Sequence, residues 1–266
     1  RCMRRILTFN CEGEQIFASL DEATGETGIL VVTGGRQTRL GPHRLMATLA
    51  RDLSSSGIAT FRFDRRGVGD SSGNDPGYEG SVPDLRAAWA AFKSACPGVR
   101  RIWGLGLCDG ATALALHGPP IGFEGLILLN PWVVPAEPEM PPPAAVRAHY
   151  RNRLLGREGW RKLVTGDFDP RSLFKGLRTA LSRSDQDLAD DAMASLSRFS
   201  GPVHILLAAH DATAQAFLAQ YRGPAGKKLA GRPNICLATL DSGSHSFASA
   251  ADREWLTAHV KAALAG

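Results

Sequence analysis

The run Ile102-Trp103-Gly104-Leu105-Gly106-Leu107-Cys108-Asp109-Gly110-Ala111 admits few folds. It reads as a short apolar strand that must reverse at once into the helix-forming run Ala111-Thr112-Ala113-Leu114-Ala115-Leu116. So abrupt a reversal leaves no room for bulk on either side of the turn. Gly106 and Gly110 remove that bulk, and the side chain between them, Cys108, stands at the apex. A thiol there sits over a helix N-terminus, whose exposed N–H groups favour the thiolate. The plainer reading is an ordinary buried cysteine in a glycine-rich turn, since free cysteine is among the most buried residue types.

On both sides of this run, strand-like segments alternate with helical ones. Residues 6–9 and 15–20 predict two antiparallel strands across the turn Cys11-Glu12-Gly13-Glu14. The continuous run Gly28-Ile29-Leu30-Val31-Val32 predicts a strand buried on both faces, ending in Thr33-Gly34-Gly35-Arg36-Gln37. Leu45, Leu49 and Leu53 mark one face of a helix over 43–55. Further strands follow at 58–63, 125–129, 203–209 and 235–240, with helices at 83–95, 212–221 and 248–264. That alternation predicts an α/β fold of right-handed βαβ units, a mostly parallel sheet with helices on its faces. Ligands of such sheets bind outside the carboxyl ends of the strands, where Cys108 and the Gly34-Gly35 loop both fall.

Composition shifts at residue 133. Pro135, Pro138, Pro141, Pro142 and Pro143 cannot join the sheet, and residues 144–183 then carry ten Lys or Arg against Glu158, Asp167 and Asp169. Residues 133–200 are read as a helical cap inserted between two parts of one core, 1–132 and 201–266. Its bases suit either a solvated helix face or the attraction of an anionic substrate. A length of 266 residues fits this single large domain with an insertion. No apolar stretch has the roughly 18 residues of a membrane span, and no apolar core of signal-peptide length follows Met3-Arg4-Arg5. The five cysteines show no C-x-x-C spacing, which argues against a disulfide framework and a zinc site and suits a reducing cytoplasm. A net charge of +5 with no basic run carrying interleaved aromatics argues against nucleic acid as a partner.

Two late segments carry candidate chemistry. His210-Asp211-Ala212-Thr213 follows the strand at 203–209, and Asp211 suits either a catalytic acid or the N-cap of the next helix. His210 beside it points the other way and is read as a loop residue. His245 lies in the Ser/Gly-rich loop Asp241-Ser242-Gly243-Ser244-His245-Ser246-Phe247, between the last strand and the last helix. The order Cys108, Asp211, His245 is that of α/β-hydrolases, which the chain resembles over essentially its whole length.

More narrowly, the chain is similar to the type 1 exosortase A system-associated hydrolases. The likeness rests on residues 34–44, on Trp103-Gly104-Leu105-Gly106-Leu107-Cys108-Asp109, on Leu129-Asn130-Pro131-Trp132 and on Trp160-Arg161-Lys162-Leu163. It implies a bacterial cytoplasmic hydrolase with a cysteine, Cys108, at the elbow, and the α/β-hydrolase order makes Cys108 the nucleophile, His245 the base and Asp211 its orienting acid. The same resemblance implies oxyanion donors at the N–H groups of Asp109 and Gly35, with Arg36 the alternative to Gly35. Thr33 stands where many relatives carry His before the glycines. The Asp64-Arg65-Arg66-Gly67-Val68-Gly69-Asp70-Ser71 run resembles a structural loop of the superfamily, in which Asp64 and Arg66 brace the site from below.

The expected activity is hydrolysis of an ester or thioester through an acyl-enzyme, with no cofactor or metal. The substrate is expected to be a small molecule or a group linked to an acyl carrier. Acyl transfer to a saccharide or carrier is the alternative, and a non-catalytic binding protein on the same fold is a third.

Overall fold

The computed structural model describes residues 3–133, 185–224 and 226–265. An eight-stranded sheet runs through it in the order β1 (Arg4–Cys11), β2 (Glu14–Asp21), β4 (Ala59–Phe63), β3 (Thr27–Val32), β5 (Arg101–Leu107), β6 (Leu126–Leu129), β7 (Val203–Ala208), β8 (Ile235–Leu240). β1 and β2 pair antiparallel, as does β2 with β4, and every other pair is parallel. The expected strands are all present, within a residue or two at their ends.

Alternation along the central strands divides the core in two. Ile29 and Val31 of β3 join Trp103, Leu105 and Leu107 of β5 on one face. There they meet the predicted stripe Leu45, Leu49 and Leu53 of α1 (Leu45–Ser54) and Leu256 and Val260 of a C-terminal helix, Ala250–Ala265. Leu30 and Val32 face the other way, toward α2 (Val82–Ala95), α3 (Asp109–His117) and α4 (Asp185–Arg198). The period of two in each strand is therefore what lets one sheet bury both sides.

Two local expectations change. The first helix starts at Leu45, because a 3-10 turn, Pro42–Arg44, precedes it with His43 and Arg44 both at positive φ. Asp64 and Arg66 each hold other segments of the chain. Asp64 is buried and takes hydrogen bonds from the backbone and guanidinium of Arg39, whereas Arg66 grips Asp84 and Glu12. Residues 185–198, assigned by sequence to the cap, instead supply Ala189, Ala192, Met193 and Leu196 to the core beside α3. The rest of that segment, with its prolines, its basic stretch and Trp160–Leu163, lies outside the described residues. Among the described residues no helix is long and apolar enough to cross a membrane.

The chain leaves β3 for β4 on one side and then crosses back to β5 on the other. The carboxyl ends of β3 and β5 thus flank the switch point of the sheet, where such folds form their crevice.

Candidate active site

β5 ends at Leu107, and Cys108 caps α3 with φ 58° and ψ −126°. A non-glycine residue in that region is strained, and persists only where its surroundings hold it. Here the Cys108 N–H donates to the Leu129 carbonyl at 3.0 Å, fixing the residue to the end of β6. The Cys108 carbonyl accepts from Ala111, Thr112 and Trp132 N–H groups at 3.0, 3.1 and 3.3 Å. Both polar ends of the strained peptide are therefore satisfied. Gly106 is required because α3 lies directly on it: a Cβ there would come within 2.6 Å of the Ala111 backbone. Gly110 similarly lies against the end of β3, where the Val32 carbonyl occupies the space a side chain would need. The predicted reversal is present, and its helix begins two residues earlier than the sequence suggested.

His245 comes to this apex from the loop after β8. Its Nδ1 lies 3.0 Å from Asp211 Oδ2, and its ring comes near enough to the Cys108 side chain for the two to interact electrostatically. Asp211 performs both roles open to it in the sequence. The same Oδ2 accepts from the Ala214 N–H at 3.0 Å, so Asp211 caps α5 (Ala212–Arg222) while it faces the imidazole. The hydrogen bond to Asp211 raises the His245 pKa, the neighbouring Cys108 side chain raises it further, and burial opposes both; the result is about 10. His210 is exposed and turned away, with Nε2 2.7 Å from Asp241 Oδ1.

The other described cysteines differ. Burial, followed by the charge of Asp84, pushes the Cys11 thiol up to about 11. Burial likewise raises Cys96, and Cys236 is exposed on β8.

Gly34 and Gly35 do reach the apex, since a Cβ on Gly34 would lie 2.9 Å from Cys108 Cβ. Thr33 is buried and closes this loop by donating to the Gln37 carbonyl at 2.9 Å. The Gly35 N–H, however, does not face open space: it donates to Oδ1 of Asp109. Asp109 Oδ2 is 3.8 Å from Nη2 of buried Arg65, which also donates to the Gly35 carbonyl. Neither acidic Asp109 nor Arg65 was singled out by sequence for its side chain, because charged residues beside a glycine turn are usually solvated.

Asn130 was also missed as a functional residue. It is fully buried, and its side chain ties the His245 carbonyl to β7. Its position just past a buried strand, before Pro131, was the available signal.

The alpha/beta hydrolase family model matches residues 29–258. No curated protein matches the sequence. Among solved structures, the Pyrococcus furiosus esterase Pf2001 superposes with a TM-score of 0.67 at 15% identity, covering 99% of this chain and 90% of its own. Est1E from Butyrivibrio proteoclasticus, solved with ferulic acid, gives 0.61 at 19% identity over 96% of each chain. XC6422 from Xanthomonas campestris, described as a serine hydrolase without a lid, gives 0.60 at 16% identity over 98% and 93%. At these identities the likeness is one of fold.

Proposed function

Because the chain belongs to the alpha/beta hydrolase family, we propose that it hydrolyses carboxylic esters or thioesters with Cys108 as nucleophile, His245 as general base and Asp211 as the group that orients the imidazole. The observation that carries this reading is the position of His245, 3.0 Å from Asp211 on one side and near enough to Cys108 on the other for the thiol to raise its pKa. Triads are recognised by such geometry and by roles, whichever residue type stands at the apex.

His245, whose raised pKa keeps it protonated, already holds the proton, and the sulfur attacks the acyl carbon as the carbonyl electrons move onto oxygen. The Asp109 N–H, at the free start of α3, donates to that oxyanion together with an N–H of the Gly34-Gly35 loop. As the intermediate collapses, the bond to the leaving oxygen or sulfur breaks and the imidazolium returns its proton to that atom. Water then gives a proton to His245 and attacks the thioester, releasing the acid and regenerating the Cys108 sulfur with the proton on His245. On this reading the substrate is a small molecule or a group linked to an acyl carrier. The motif likeness at residues 34–44, 103–109 and 129–132 supports a bacterial, cytoplasmic setting beside an exosortase system.

The test is a panel of p-nitrophenyl esters and acyl thioesters, combined with intact-mass analysis after a short pulse. Turnover with an acyl adduct on Cys108, both lost in Cys108→Ala, is the expected result. Turnover that survives Cys108→Ala would overturn the reading. Iodoacetamide gives a second readout, since Cys108 should be alkylated well ahead of the exposed Cys236.

A further inference from the structure

The side chain of Asp109 lies where the chemistry proposed above can least tolerate it. Its Oδ1 accepts the Gly35 N–H, which is one of the two donors expected to face an acyl oxyanion. A carboxylate there blocks the amide and sets a negative charge beside the place where another must develop. Yet the neighbouring guanidinium is built to receive it. Arg65 is 2% exposed, its Nη2 is 3.8 Å from Asp109 Oδ2, and its Nη1 has no hydrogen-bond partner among the described residues. A buried guanidinium N–H left unpaired is costly, and a carboxylate 3.8 Å from another nitrogen of that guanidinium is near enough to move onto it.

We propose that Asp109 and Arg65 form a two-position latch on the oxyanion loop: the carboxylate holds the Gly35 N–H at rest and moves onto the Arg65 guanidinium when an acyl carbonyl enters. No bond is made or broken; one hydrogen bond to Gly35 is exchanged for one or two to Arg65. The exchange frees the amide and neutralises the carboxylate in the same step. Arg65 also holds the Gly35 carbonyl, so the loop keeps its position while its N–H changes partner. Arg65 and the Asp109 carboxylate are positioning residues, acting through the Gly35 amide. The inference rests on Cys108 being the nucleophile.

The test uses two probes that treat the amide differently. Iodoacetamide alkylates sulfur with no oxyanion to be held, whereas pentyl trifluoromethyl ketone adds to a thiolate as an anionic hemithioketal that needs the hole. Ketone affinity, normalised to each variant's own alkylation rate, therefore reads the hole apart from the thiol. Arg65→Gln should weaken normalised ketone affinity by about tenfold, the worth of one lost hydrogen bond. The loss should vanish in Arg65→Gln combined with Asp109→Ala, where there is no carboxylate left to displace. A loss that persists in the double variant, or no loss in the single one, overturns the latch. Should Arg65→Gln not fold, Asp109→Ala alone should bind the ketone about tenfold more tightly than the wild type, and unchanged affinity overturns the latch. If the wild-type Cys108 neither alkylates ahead of Cys236 nor binds the ketone, the nucleophile reading fails and takes the latch with it. Normal alkylation with unchanged affinity ratios sinks the latch alone.

Discussion

The Asn130 carboxamide donates to the His245 carbonyl at 2.8 Å, linking the last residue before the Pro131 turn to a histidine far along the chain. Its oxygen accepts from the Ala208 N–H at 2.8 Å, so one buried side chain fastens the histidine loop to β7. Asn130 itself sits at φ 40°, a conformation asparagine tolerates better than most residues.

Asn130→Ala is therefore expected to act on both stability and rate. Leaving a buried N–H and a buried carbonyl unpaired costs about 1–3 kcal/mol. A looser His245 should lower kcat about tenfold or more, with KM little changed, because a mispositioned base affects the transition state more than substrate binding. Chemical denaturation and steady-state kinetics on the same preparation check the two halves.

The two duties of Asp211 can be separated. Asparagine is as good an N-cap as aspartate, so Asp211→Asn should keep stability within about 1 kcal/mol. It would still stabilise the wrong imidazole tautomer and carry no charge, lowering kcat by roughly 10²–10⁴-fold. Asp211→Ala should lose activity similarly, with about 0.5–2 kcal/mol of stability in addition. Equal stabilities for the two variants would show that the cap contributes little.

Gly106→Ala should be more damaging than a one-carbon change suggests. The added methyl would meet the Ala111 backbone at 2.6 Å, and neither strand nor helix can retreat without opening the strand–helix turn. A loss of about 1–3 kcal/mol is expected, together with slower alkylation of Cys108. Unfolding in urea and the alkylation rate test the two effects.

The raised pKa of His245, about 10, has a thermodynamic consequence. The folded protein binds this proton more tightly than the unfolded chain, whose histidine titrates near about 6.5. The resulting stability is fully present below that value and is lost as pH rises through about 10. Between these limits the wild type should lose stability with rising pH, and His245→Gln should show a shallower fall. Parallel denaturation midpoints across that window provide the check.

The strand ladder was legible because each central strand is a short, uninterrupted apolar run, which only burial on both faces explains. Cys108, His245 and Asp211 were legible for a different reason: each follows a strand end at which the chain must turn, and few residue types with chemistry fall at those points. What could not be read was lateral. Nothing near residue 35 in the sequence indicates that a carboxylate seventy-four positions later accepts a hydrogen bond from its amide. Nor does the spacing of Asp64 and Arg66 reveal that each has another partner. The end of the expected cap posed a similar difficulty. Residues 185–198 look polar by composition, yet the apolar positions Ala189, Ala192, Met193 and Leu196 form a seam that packs on the core.

The positive φ at residue 108 limits which atoms can ever serve at that point. A branched β-carbon would crowd the backbone there, so threonine and valine are shut out, while a single unbranched heavy atom fits. Sulfur and oxygen on a methylene are thus interchangeable in shape, and Cys108→Ser should leave the fold intact while handing the reaction to a different element. The site's identity as a thiol or an alcohol is then decided by one atom, with the scaffold indifferent to which.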